Sequence, residues 1–407
     1  MQSLKQNLQI FIFIVAICLG CSPKKEDRID THLGLERIPT EGLDRFLTDK
    51  MQELGIPGLA MAVINNGKIV YHRTMGYANQ EKNQPVSDNT IFEGASLSKS
   101  VFAFFVMTYV EEGKLSLDRP LYEYLPYKDI QHDERYKKIT ARMVLSHRSG
   151  FPNWRRDESD GKLKLKFEPG TDYLYSGEGY QYLAMVLREI EGTDWKGLEA
   201  AFQNKVGKVL RLEHTVFLQT PYTRQYKAAP YNAEGKPVAG VEDKEFGAAY
   251  SIHTEPVDFS KWMVAVMETN VLKPESYSEL LKTHSSVPSG AFDLYYCLGF
   301  MHPEFPIIKS DIYFHSGNND GFTCWYALDP GKDWGFVLFT NSQFGEDLGE
   351  QLFFYLLLGP YTSIGGVVVV LLMLVAAGYF VKEIVRKIKS KKSIKATETV
   401  HDQSALR

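Results

Sequence analysis

Cysteine is scarce in this chain: four residues in 407, and two of them, Cys18 and Cys21, fall near the N-terminus. Only Cys297 and Cys324 remain for the body, which excludes a disulfide framework and a cysteine-based metal site. They either bridge, if the domain lies outside the cytosol and their strands are neighbours, or act as two small buried hydrophobes. The ten histidines contain no His-Glu-x-x-His pattern, so no metal or other cofactor is expected. Excess charge is lacking too: 46 Lys and Arg against 50 Asp and Glu give a net −4, which is no footprint for nucleic acid. Internal repeats are absent. What remains, 44% hydrophobic and 24% charged residues, is the composition of a folded globular chain. Its length fits one large domain or two ordinary ones.

Both ends carry membrane signals. "MQSLKQNLQIFIFIVAICLGC" has an early lysine, an apolar stretch from Leu8 to Leu19 and a small residue before a cysteine, the parts of an export signal over 1–20. Gly20-Cys21 resembles the end of a lipobox, which makes Cys21 a candidate for lipidation. At the other end, Ile364 to Val381 carries no charge and is long enough to cross a bilayer as a helix. The cationic "KEIVRKIKSKKSIK" that follows marks the cytoplasmic side. The expectation is a polar linker over 21–42, an extracytoplasmic domain over 43–358, a span over 364–381 and a basic cytoplasmic tail over 382–407.

Between these ends, "LDRFLTDKMQEL" has the apolar spacing of a helix. "GLAMAVINNGKIVYHRTMGYAN" reads as two strands joined at Asn66-Gly67, a strong hairpin signal. The run after Ser96, down to Glu112 with Gly113 as a stop, is apolar almost all round and belongs in the interior as a helix. Residues 115–275 mix helical segments with Pro- and Gly-rich connections. Strands return in "DLYYCLGF", "DIYFHSG", "FTCWYALDP" and "WGFVLFTNS", and an apolar helix, Gln351 to Leu358, closes the domain. The order predicts an α+β fold: one antiparallel sheet built from both ends of the domain, flanked by helices, with a helical subdomain inserted.

One stretch opens that interior helix with residues ill suited to burial. In "FEGASLSKSVFAFF", Ser96 and Lys99 share a face, because positions three apart on a helix are neighbours. A helix N-terminus offers unpaired N–H groups that stabilise negative charge. Burial lowers a lysine pKa and turns the amine into a usable base, so Ser96 has the setting of a nucleophile. Alone, S-x-x-K proves little. It arises by chance about once or twice in a chain of this size, and the leader's "SPKK" is such a hit. Ser96 as a helix cap with a solvated Lys99 is the competing account.

Two later stretches decide between them. "PGTDYLYSGEGYQYLAMVL" places Tyr175 on a loop before a helix, and "YFHSGNNDGF" places His315-Ser316-Gly317, then Asn318, at the end of a strand. With "GYAN", "ITARMVLSHRSGFP", "AAYSIHTEPVDFSKW" and "GFVLFTNS", the chain over about 43–355 resembles the serine β-lactamase and penicillin-binding protein superfamily, in its class C β-lactamase-like branch of DD-peptidases, D-aminopeptidases and carboxylesterases. The resemblance implies the β-lactamase/transpeptidase-like fold and a set of roles. Ser96 becomes acylated. Lys99 shares the proton with Tyr175, whose phenolate or hydroxyl is general acid/base. His315 supplies positive charge or a hydrogen bond to that tyrosine and the substrate, and Ser316 faces the substrate's acidic end. The N–H groups of Ser96 and Asn318, around Gly317, form the oxyanion hole.

One position departs from the pattern. Gly177 stands where the family has an asparagine that bonds the lysine and the substrate's side-chain amide. Either the site has turned away from penicillins and peptidoglycan peptides, or the backbone there needs a glycine's positive φ. Glu178, one residue on, either compensates in part for that asparagine or is a solvated loop carboxylate. The expectation is a membrane-tethered serine hydrolase acting through a Ser96 acyl-enzyme on D-amino-acid peptides, peptidoglycan-derived ones included, on β-lactams or on esters. A carboxylesterase with little β-lactam or peptidase activity is one alternative, and a non-catalytic envelope-binding protein of the same fold is another.

Overall fold

The computed structural model describes residues 28–360 except 239–244, 290–291 and 306–309. The leader over 1–20, Cys21, the span over 364–381 and the tail over 382–407 lie outside the described residues. Among those described, no helix is long and apolar enough to cross a membrane. The described chain forms two compact units, one of residues 28–30 with 37–353 and one of 31–36 with 354–360. In the second, His32 and Leu33 donate backbone hydrogen bonds to the carbonyls of Leu356 and Leu357.

The first unit begins with strands β1 (Arg28–Asp30) and β2 (Arg37–Pro39), which pair within the segment expected as linker. Ile29 and Ile38 face each other across the pair and are fully buried. A single apolar residue per strand, set among charges, anchors a stretch whose composition reads as solvated. The helix Thr40–Leu54 follows, closed by Gly55 in the left-handed conformation.

β3 (Gly58–Asn65) and β4 (Lys68–Asn79) form the predicted hairpin. Asn66 and Gly67 both take positive φ, +51° and +68°, as a two-residue turn matched to strand twist requires. With β5 (Gln84–Pro85), β8 (Ser285–Val287), β9 (Asp293–Tyr296), β10 (Met301–Glu304), β11 (Tyr313–Asn319), β12 (Phe322–Asp329) and β13 (Trp334–Thr340) they make a nine-stranded sheet of order β5-β4-β3-β13-β12-β11-β10-β9-β8. Every pairing is antiparallel, and β3 lies beside β13, so both ends of the domain meet in its centre. A separate short pair joins β6 (Phe92–Glu93) to β7 (His253–Thr254), just before the turn that carries Ser96.

The helix Ser98–Glu111 is buried on nearly every side, as its composition predicts. Phe102 packs on Tyr180, Phe104 on Tyr277 and Phe105 on Phe202 and Phe246, so its rings meet the inserted helical region. Pro256–Glu268, counted with the helical middle by sequence order, packs instead on the sheet through Phe259 against Phe339 and Tyr326. The final helix runs Gly345–Leu358, beginning six residues earlier than its apolar run because Glu346 and Asp347 suit a helix N-terminus. Cys297 and Cys324 are free and buried; their thiols donate to the carbonyls of Leu281 and Gly94. Of the two accounts open for them, the second holds.

Candidate active site

Ser96 sits in a 3₁₀ turn, Ala95–Leu97, that leads into the helix Ser98–Glu111. Ala95 takes φ +40°, a left-handed conformation that a residue with a Cβ adopts only when its surroundings dictate it. Here they do: Gly94 N–H bonds the Ile252 carbonyl at 2.7 Å, and Ser98 Oγ donates to the Ala95 carbonyl at 2.5 Å. Ser98 also accepts from Ile252 N–H at 2.9 Å, so both capacities of that hydroxyl go to fixing the turn.

Lys99 is buried, with Nζ 3.1 Å from Ser96 Oγ and donating to the Ala249 carbonyl at 2.8 Å. Its ammonium also lies over the ring of Tyr175, 4.6 Å from the centroid. Desolvation pushes its pKa down to about 7, so at neutral pH a large share of the lysine is a free amine next to the serine.

Burial raises the pKa of Tyr175 above the ordinary tyrosine value, against a smaller opposing effect of Ser96. Of the two forms the sequence leaves open, the hydroxyl is therefore the one present. A residue that the sequence names only within a longer matching stretch holds it there. His147 accepts the Ser176 N–H on Nδ1 at 3.0 Å, and its carbonyl accepts the Leu174 N–H at 2.9 Å. It thus grips the backbone on both sides of Tyr175, and its ring stands 4.3 Å from the tyrosine ring. The histidine is itself at φ +57° and fully buried, and burial with the nearby Lys99 charge lowers its pKa well below the usual value.

Strand β11 brings up the opposite wall, and its alternation sorts the motif. His315 faces Tyr326 and Gly317 faces Cys324 across β12, on the inner side; Ser316 pairs with Trp325 on the other. A Cβ on Gly317 would lie 2.8 Å from Ser96 N and 2.7 Å from Cys324 Sγ, so only glycine lets the strand approach the Ser96 backbone this closely. His315 departs from its expected role. Its Nδ1 faces the Ser316 carbonyl at 2.5 Å, and a carbonyl only accepts, so Nδ1 carries the proton. Nε2 then accepts from the Tyr296 hydroxyl at 3.0 Å. Burial lowers the pKa to about 3, with Lys99 adding to the effect, so His315 brings no positive charge at neutral pH. Its tyrosine partner is Tyr296, while Tyr175 stands 6.2 Å away ring to ring.

Ser316, expected opposite an anionic group, donates to the carboxylate of Glu346 at 3.0 Å. Asn318 is exposed, and the next residue, Asn319, turns its amide to Glu93 and to the Tyr250 carbonyl. Gly177 does not take a positive φ. It is glycine because a Cβ there would lie 2.6 Å from the indole of Trp154. Glu178 is buried, not solvated: it accepts from Arg155 N–H at 2.9 Å and from the guanidinium at 2.8 to 3.1 Å. Among the described residues no group of histidine, cysteine, aspartate or glutamate is arranged to hold a metal.

The Beta-lactamase family profile matches residues 43–359. Protein flp of Staphylococcus aureus (strain NCTC 8325 / PS 47) is 24% identical over 333 residues, covering 76% of this chain and 65% of its own length. The putative penicillin-binding protein PbpX of Bacillus subtilis (strain 168) is 24% identical, over 77% of this chain and 78% of its own. Among solved structures, the octameric penicillin-binding protein homologue from Pyrococcus abyssi has a TM-score of 0.64 at 23% identity, covering 74% of this chain and 73% of that one. D-alanine carboxypeptidase AmpC from Burkholderia cenocepacia has a TM-score of 0.63 at 20% identity, over 74% and 93%. These likenesses place the α+β architecture of sheet, flanking helices and inserted helical region among known folds.

Proposed function

Because the chain belongs to the Beta-lactamase family, we propose that it is a serine hydrolase that works through an acyl-enzyme on Ser96. The observation that carries the reading is Lys99 Nζ, 3.1 Å from Ser96 Oγ and held near pKa 7 by burial. A neutral amine at that distance accepts the hydroxyl proton as Oγ attacks a carbonyl carbon. Negative charge then collects on the carbonyl oxygen, and the N–H groups of Ser96 and Asn318 are the donors assigned to it. Collapse breaks the bond to the leaving group. Its proton comes from the Lys99 ammonium through the Tyr175 hydroxyl, the acid/base group that the family resemblance assigns. Water repeats the sequence on the acyl-enzyme, releasing a carboxylic acid and restoring Ser96. Protons balance without a cofactor.

The substrate class is a carboxylic ester or amide, which includes β-lactams and D-amino-acid peptides. Esters are the least demanding, because an alkoxide or phenolate leaves more readily than an amide nitrogen. Fluorophosphonate labelling followed by peptide mass spectrometry tests the reading. The expected adduct is on Ser96 and is lost in Ser96→Ala. Ser98, whose hydroxyl is engaged at 2.5 and 2.9 Å, should stay unlabelled. Undiminished labelling of Ser96→Ala would defeat the assignment.

A further inference from the structure

Glu93 and Lys227 form a buried ion pair that the acyl-transfer steps do not use. Lys227 Nζ lies 2.5 Å from Glu93 Oε1, with 11% and 9% of the two side chains exposed. A buried pair of this kind is weak grounds for stability, because packed apolar residues of similar volume often hold a fold as well or better. Its place in the chain gives it another use. Glu93 stands on β6, three residues before Ser96, and its backbone pairs with His253 on β7. Lys227 is set beside β6 by a backbone bridge to Ile91, and its ammonium stands 5.6 Å from the ring centroid of Phe322 on β12.

The second carboxylate oxygen of Glu93 reaches a different segment. Asn319 donates its side-chain amide to Glu93 Oε2 at 2.5 Å and to the Tyr250 carbonyl at 3.3 Å. Gln343 in turn donates to the Asn319 carbonyl at 3.0 Å. Asn319 is the last residue of β11 and follows Asn318, whose N–H is one of the two donors assigned to the oxyanion. The other donor, the Ser96 N–H, comes from the turn after β6. Strand and turn already meet at Gly317, where a Cβ would lie 2.8 Å from Ser96 N. Beyond Gly317, β12 is the strand's backbone partner among the described residues, because the pairing with β10 is at Phe314. The end that carries Asn318 therefore depends on side chains to hold it, and Glu93 supplies the charged one.

We propose that Glu93, charge-balanced by Lys227, is a positioning residue: by gripping Asn319 it fixes the N–H of Asn318 relative to that of Ser96 and so sets the span of the oxyanion hole. The proposal rests on the acyl-enzyme reading. Two donors stabilise an oxyanion only as far as both meet the charge where it develops, so a small shift of one of them weakens the pair. A carboxylate suits the task because its hydrogen bonds are short and strong, and the ammonium keeps it from being a lone charge in the interior.

The test compares p-nitrophenyl acetate with its thiono analogue, in which sulfur replaces the carbonyl oxygen, on the full chain. Sulfur is a larger and poorer acceptor, so the oxo-to-thiono ratio of kcat/KM reads the oxyanion hole rather than the state of the fold. Asn319→Leu, at a half-buried position, removes the grip and leaves the ion pair in place. Glu93→Leu/Lys227→Met removes the grip without leaving a lone charge, and Glu93→Gln/Lys227→Met keeps an acceptor for Asn319. The wild type should favour the oxo-ester by about tenfold or more. Both grip-free variants should lose about ten- to a hundredfold in kcat for the oxo-ester with KM little moved, and their ratios should approach one. Glu93→Gln/Lys227→Met should recover most of the ratio. An unchanged ratio in Asn319→Leu that melts like the wild type, or an equal fall for both esters, would overturn the proposal; this variant decides by itself where the double variant does not fold. Fluorophosphonate labelling of the same samples separates the two readings. No labelling of wild-type Ser96 fails the hydrolase, whereas normal labelling with the same ratio in all variants fails the positioning role alone.

Discussion

Ser96 and Lys99 stand on a turn and a helix whose side chains are almost all buried, whereas Trp154 and Glu346 stand at a half-buried to exposed rim. The floor is dry and over-determined. Ala95 is held in a strained conformation, Lys99 has two polar partners, and Gly317 presses on the backbone N of Ser96. The rim is where the chain departs from the motif set. An indole fills the asparagine's place, and a glutamate meets the serine expected to receive an anion. Dehydration is what makes a lysine a base, so the chemistry needs the interior. Recognition needs contact with an incoming molecule, so it sits where side chains change without disturbing that interior.

Breaking the floor should have the largest effect. Lys99→Met keeps a long side chain and removes the amine, so acylation should fall by about a hundred- to ten-thousandfold. The same change should stabilise the fold. Unfolded, the lysine stays protonated up to its ordinary value of 10.5; folded, it loses its proton above about 7. The unfolded state binds more protons between those values, so wild-type stability rises with pH across that window. Below pH 7 the full penalty applies, on the order of 5 kcal/mol. Denaturant melts from pH 6 to 10 should show Lys99→Met more stable by a few kcal/mol at the acid end, with the gap closing toward pH 10. Wild-type kcat/KM should rise through about pH 7 as the amine deprotonates. A variant with undiminished acylation would remove Lys99 from the chemistry.

A smaller effect sharpens where the floor ends. His147 touches neither Ser96 nor Lys99 by hydrogen bond, and we assign it the positioning of Tyr175. His147→Ala should lower kcat on the order of ten- to a hundredfold while KM moves little, since a small displacement of the tyrosine misaligns proton transfer. His147→Asn should recover part of the loss. Its Oδ1 can accept the Ser176 N–H, and asparagine tolerates the left-handed backbone. Equal loss of kcat and rise of KM in both variants would reduce His147 to a packing residue.

The smallest expected effect lies at the rim. Glu346→Gln removes a charge beside Ser316 and should raise kcat/KM about twofold to fivefold for esters bearing a free carboxylate on the leaving side, with neutral esters unmoved. Because the pair is exposed, salt should shrink the difference. The same gain for neutral and anionic esters would mean that charge at this position does not select.

Much of the floor is legible in the chain. Three-residue spacing puts Ser96 beside Lys99, and the apolar run behind them announces burial, from which a lowered lysine pKa follows. The hairpin at Asn66-Gly67 is legible for a similar reason: the turn is local and its positive φ angles are written into two residues. Ser316 shows a local rule left unused. Neighbours on a strand point to opposite faces, so His315 and Gly317 share the inner side and Ser316 must leave it. A motif read as one unit hides that alternation.

Composition and spacing by themselves determined the α+β class and the buried helix with its serine and lysine, while the candidate set of Tyr175, His315 and Gly317 came from the family resemblance. Each depends on residues close in sequence or on a pattern carried within one element. Tertiary structure decided the protonation and partners of those groups: a neutral His315 bonded to Tyr296, a protonated Tyr175 clasped by His147, and free thiols at Cys297 and Cys324. It also decided the reason for Gly177, since the indole that excludes a side chain there arrives from residue 154. Desolvation and close approach are properties of three-dimensional surroundings, and no local pattern encodes which distant side chain will occupy a given space.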